Sequence, residues 1–138
     1  MRYLALLHWI RPNTAEARRA ERLFRAEALR IARQLRSILD RWASVREIEP
    51  DNDRLANAAA VNRWELLRLA QDAEQLQAPR PWAATSRELR EALTSSARAC
   101  QLLANGYRSH KSEAVCDGQA LLLDTLVSLD RLHQQLQR

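Results

Sequence analysis

Chain-breaking residues are so scarce in this sequence, and so regularly placed, that long helices are nearly the only regular structure open to it. There are two glycines and four prolines in 138 residues. Pro12, Pro50, the Pro79/Pro81 pair and Asn105-Gly106 cut the chain into four segments, each long enough for several helical turns. Ala, Leu, Arg, Glu and Gln, all strong helix formers, supply 86 of the residues, and Val, Ile and Thr together only 12. A β-rich fold needs branched residues in its strands and Gly-rich turns between them. All-α architecture follows.

Each segment sorts its apolar residues by a helical period. In the first, about 13–47, Phe24, Ile31, Leu35, Ile38 and Trp42 share a face that Ala17, Ala20 and Ala28 extend. Asn13 and Glu16 have the spacing of a capping box at its start. The second, about 53–77, aligns Leu55, Ala59, Leu66, Leu69, Ala73 and Leu76, with Asn62 in mid-stripe. The third, about 81–104, aligns Leu89, Leu93, Ser96, Cys100 and Leu103. It begins either at Pro81, with Trp82 on the core face, or at a Thr85/Glu88 capping box; the earlier start is preferred. The fourth, about 112–137, aligns Val115, Leu122, Leu126, Leu129 and Leu136, and Leu121, Leu123 and Leu132 broaden the stripe.

Short connections between such helices make antiparallel neighbours, and four of them close into an up-down-up-down bundle over one domain, 1–138. A chain of this length buries enough surface for a core without staples. The first helix is about ten residues longer than the others. It must overhang, bend or carry a partner.

The opening, Met1 to Ile10, is a short apolar run followed at once by Arg11-Pro12 and without a small-residue cleavage site. It reads as a segment that docks on the bundle or on a partner. No stretch approaches the roughly 18–20 apolar residues of a membrane span, so a soluble, cytoplasmic protein is expected.

Three constellations could carry chemistry or contact. Arg18, Arg22, Arg25, Arg33 and Arg36 fall on one side of the first helix, opposite its core face, and could track phosphates. The competing reading is a solvated face: 21 of the 22 basic residues are Arg, the bias of a GC-rich coding sequence. No aromatic lies within that stripe to stack on bases. Cys100 and Cys116 are equidistant from Arg108, the expected middle of the third connection. A disulfide between them would imply an extracytoplasmic protein, although two separate thiols are the simpler expectation. Ala60, Trp64 and Leu67 form a second apolar strip on the second helix. With Trp9, they are the candidate interaction surface, because Trp is a favoured interface anchor.

Catalytic groupings are not expected. His8, His110 and His133 are scattered, and there is no Glu-x-x-His, Cys-x-x-Cys or Gly-x-Ser-x-Gly. His110-Lys111 lacks the His-to-Lys spacing of phosphotransfer bundles, and Asp130 near His133 reads as a surface contact. No metal or cofactor is expected. The layout is similar to bacterial helical-bundle domains in general, with no motif that names a family. The expected function is a non-enzymatic interaction or assembly module with a protein partner or a second copy. The alternative is a small helical subunit of a ribonucleoprotein complex, binding phosphates through the Arg stripe.

Overall fold

A computed structural model describes residues 14–138, which form four helices joined by short connections. They are α1 (Ala15–Ile48), α2 (Asn52–Glu74), α3 (Ala83–Arg108) and α4 (Ser112–Gln137), with a 3-10 turn at Arg80–Trp82 before α3. No strand occurs among the described residues. Side-chain contacts give the directions. Arg41 reaches Glu65 and Arg30 reaches Asp72 from α1 to α2; Arg25 and Arg36 reach Leu136 and Asp130 on α4; Arg131 of α4 faces Glu88 of α3. Neighbours are therefore antiparallel, and the expected all-α four-helix bundle is the fold observed.

Local chemistry fixes the helix ends. The Thr14 hydroxyl accepts from Ala17 N–H at 3.1 Å, and the Asp51 carboxylate accepts from Asp53 and Arg54 N–H. Each such cap is worth about 1 kcal/mol. The observed cap of α1 is thus Thr14; Asn13, expected in that role, lies outside the described residues. At α3 the earlier start is correct. Pro81 sits in the 3-10 turn, Trp82 is half-buried with its ring centroid 5.9 Å from that of Phe24, and Thr85 is already inside the helix.

Two boundaries differ from expectation: α2 stops at Glu74, three residues short of the expected end, and α3 runs past its own. Asn105-Gly106 is not a turn: α3 runs on to Arg108, and Gly106 is buried. A Cβ there would lie 2.8 Å from Val115 Cγ2 and 2.9 Å from Val115 N, so this glycine lets the start of α4 approach α3. The true stop is at His110, which takes φ 54° while Lys111 N–H donates to the Gly106 carbonyl at 2.8 Å. That is a Schellman-type C-cap with histidine where glycine is usual.

The core stripes are largely as expected, with Ile31, Leu35, Leu66, Leu89, Leu93, Leu103, Leu129 and Leu132 completely enclosed. Two residues expected on these faces are exposed: Ala20, on the overhanging start of α1, and Leu123, 64% exposed because it stands well round the α4 helix from Leu122 and Leu129. α3 lies closer along α2 and α4 than α1 does. The close contacts use small residues, such as Gly118 packed against Ala99 and Leu103, while α1 brings Phe24, Ile38, Leu39 and Trp42. Asn62, expected to fix register, is buried and accepts from Arg41 at 3.0 Å, which ties α2 to α1.

The extra length of α1 is an overhang. Phe24 is its first buried residue, level with Trp82, and nothing from Ala15 to Leu23 is buried. Below the overhang lies an open groove of about 440 Å³, lined by Ala20, Leu23, Phe24 and Leu76 among others.

Candidate functional site

The α1 arginines divide into two groups. Arg25 Nε and Nη2 both donate to the Leu136 carbonyl, at 3.2 and 3.0 Å, and its guanidinium lies 5.2 Å from the Trp82 ring centroid. Arg36 bonds Asp130 at 2.5 Å and lies 3.6 Å from Asp40; the bond to Asp130 raises its pKa further above the ordinary arginine range. These two clamp α1 to α4, Arg25 at a carbonyl of its last turn, with their forks already occupied. Arg18, Arg22 and Arg33 are exposed. The stripe therefore does not present five equivalent cations to a phosphate chain.

The two thiols are free and far from equivalent. Cys100 is buried on the core face of α3, and desolvation pushes its thiol up to about 12; Cys116 is exposed. The disulfide that the spacing admitted is not made, and the α3 boundary explains why. Leu103 faces Gly118 and Gly106 faces Val115. The hairpin therefore turns about His110-Lys111 rather than Arg108, and Cys100 lies level with Leu121. Cys116 is about five residues away along α4, roughly 7.5 Å. The extracytoplasmic inference loses its basis with the bridge. Among the described residues no helix is long and apolar enough to cross a membrane.

The second apolar strip separates into two roles. Ala60 and Leu67 are half-buried against the core, on the side of α2 that turns towards α3. Trp64 points away from the bundle and is 69% exposed, with Val61 beside it at 57%. Trp42 and Trp82, by contrast, pack on Tyr107 and Phe24. Trp9 lies outside the described residues. The overhang of α1 and Trp64 are not one continuous surface, since Leu23 and Leu76 line a groove on the α1 side of α2.

Around Trp64 the structure assembles a group of arginines that the sequence reading passed over. Arg63 and Arg68 flank it on α2, towards α3 and towards α1 respectively. At 100° per residue, Arg90 and Arg108 of α3 fall on the side facing α2, and Arg98 on the adjoining outer rim. The contact between Arg108 and Asn57, 3.4 Å, fixes the relative height of the helices and sets Trp64 near the level of Cys100. None of these five arginines forms an ion pair among the described residues, whereas Arg25, Arg30, Arg36 and Arg41 of α1 all do. The acids explain the difference. From Ala92 to Ser112 there is no Asp or Glu, and between Asp53 and Asp72 there is only Glu65, which is bonded to Arg41 at 2.8 Å. That acid-free run was the available signal. It was hidden because net charge over residues 47–138 is slightly negative, the acids lying elsewhere, many of them on α4.

Among the described residues no three side chains gather in a way that could hold a metal ion. His110 shares a hydrogen bond with Asn52, 3.0 Å, and His133 with Gln137, 3.1 Å; neither is hydrogen-bonded to a hydroxyl or a thiol. What the surface offers is an exposed ring, a shallow apolar strip and five forks without a carboxylate partner. No family model, no curated protein and no solved structure matches this chain.

Proposed function

We propose that the protein is a non-enzymatic interaction module whose contact surface centres on Trp64. The observation that supports this is the position of that ring. Trp64 is a large apolar side chain held out from a well-packed bundle, on a helix whose inner face is already buried. An exposed tryptophan adds nothing to the core and carries the surface area of an interface anchor. The strip beside it, Ala60 and Leu67, continues the apolar character to the α2–α3 junction.

Affinity purification of the tagged full chain from cells that contain it, beside Trp64→Ala and Val127→Ala variants, tests the reading. Val127 is equally exposed, at 71%, but stands on α4. The expected result is a macromolecule retained by the wild type and by Val127→Ala and lost with Trp64→Ala, while the Tm of all three agrees. Retention that is indifferent to Trp64 contradicts it.

The nucleic-acid reading through the α1 stripe receives less support, because Arg25 and Arg36 are bound to α4.

A further inference from the structure

We infer that the Trp64 surface takes a single-stranded nucleic acid, with bases stacking on Trp64 and phosphates held by Arg63, Arg68, Arg90, Arg98 and Arg108 of α2 and α3. This rests on the reading of Trp64 as the contact point and names the class of partner.

Charge selects the occupant. Five guanidinium groups without a carboxylate partner lie along the face that carries the ring. Of the acids on the same two helices, Glu65 adjoins Trp64 but is bonded to Arg41, Asp72 turns to Arg30 of α1 and Glu88 to Arg131 of α4, while Asp53, Glu74 and Glu91 sit towards the ends of the face. A polyanion neutralises such a face and gains entropy from released counterions. A second copy of this chain does the opposite. A twofold contact through Trp64 sets the same patch on both sides, so arginines would meet arginines.

Apolar area then discriminates between anionic partners. Trp64 and Val61 are the large apolar residues that α2 exposes, and Ala60 and Leu67 are half-covered. A protein interface of standard size buries roughly 800 Å² on each side around an apolar centre. This strip is too small to be that centre. It is large enough for one or two bases, each of which stacks on an aromatic face irrespective of its identity. Arginine forks match phosphate oxygens two at a time. From Arg90 to Arg108 the face extends along α3 for about 27 Å, the length of a short run of nucleotides. The α1 stripe has basic residues but no aromatic; here both occur together. A duplex keeps its bases stacked on one another and offers Trp64 nothing, so single strands are preferred.

The test is fluorescence anisotropy of a labelled 12-nucleotide oligouridine with the full chain, and of the same length of duplex RNA, between about 50 and 200 mM salt. The expected result is binding to the single strand that weakens with salt with a logarithmic slope near about −3, as for roughly four neutralised phosphates. Trp64→Ala weakens it by about tenfold and Trp64→Phe restores most of the loss. Arg98→Gln/Arg108→Gln reduces the slope by about 1.4, whereas Arg22→Gln/Arg33→Gln on α1 changes neither affinity nor slope. All these side chains are exposed, and circular dichroism confirms that each variant remains folded. Absence of binding at the lowest salt, preference for the duplex, or loss on changing α1 but not α3 overturns the inference. A partner purified from cells in a Trp64-dependent manner that survives nuclease treatment also overturns it, while leaving the interaction-module reading intact.

Discussion

At the scale of single residues, the connection between α3 and α4 and the packing behind it set opposite demands on the backbone. Gly118 is needed for the space it leaves: a Cβ would stand 2.8 Å from Leu103 Cγ and 3.0 Å from the Ala99 carbonyl, and Leu103 is fully enclosed. Gly118→Ala gains helix propensity but overpacks the core, so a net loss of about 1–2 kcal/mol is expected in urea melts. His110 has the reverse problem, holding φ 54° with a Cβ. His110→Gly relieves it and should raise stability by about 0.5–1 kcal/mol, less whatever the exposed contact to Asn52 supplies. The thiols give a third check. Under native conditions a thiol reagent should label Cys116 promptly and Cys100 only on unfolding, which mass spectrometry resolves. Cys100 also has a pH signature. Its folded pKa, raised by burial from 9.0 to about 12, exceeds the unfolded value, so the fold holds its proton more tightly. Its contribution is therefore complete below pH 9 and is lost as pH rises from 9 towards 12. Cys100→Ala should flatten stability over that window relative to the wild type.

At the scale of elements, what periodicity specifies is the inward face, and what it leaves open is where a helix meets its neighbours. Phe24, Ile31, Leu35 and Ile38 were legible as core because burial there follows from the spacing alone. The length of α1 was legible too, since breakers set it. The overhang now makes a sharp contrast of adjacent residues: Phe24→Ala should cost about 3–5 kcal/mol, as for other buried aromatics, and Leu23→Ala, 60% exposed on the overhang, less than about 0.5. Chemical denaturation of the two variants checks this. The α3–α4 junction was not legible. Asn105-Gly106 is a turn signal in isolation, and only the proximity of Val115 shows that the glycine serves a helix crossing. From that one displaced boundary came the misplaced midpoint and the disulfide that the structure does not make. Leu123 illustrates the same limit, because an apolar residue at the margin of a stripe is buried only if a neighbour reaches it.

At the scale of the whole molecule, the instructive quantity is where charge is cancelled. The first 46 residues carry the visible excess of arginine, yet much of it is paired, Arg36 with Asp130 of α4, Arg30 and Arg41 with Asp72 and Glu65 of α2, and Arg25 with Glu21 of its own helix. Exposed pairs of this kind contribute little stability each, up to about 1 kcal/mol, but they remove cations from the surface potential. The α2–α3 side has fewer arginines and leaves them uncancelled around Trp64. Sequence totals cannot show this, because pairing is a property of which faces meet. The Trp64 strip itself was legible as a second apolar surface; the arginines that give it a partner class were not, being distributed over two helices some thirty residues apart. An amide NMR titration of the full chain with the uridine oligomer addresses the central claim most directly. Shifts concentrated between residues 60 and 68 on α2 and between 90 and 108 on α3, with the Trp64 indole signal among the largest, are the predicted outcome. A response confined to residues 18–36 of α1, or none at all, would contradict it.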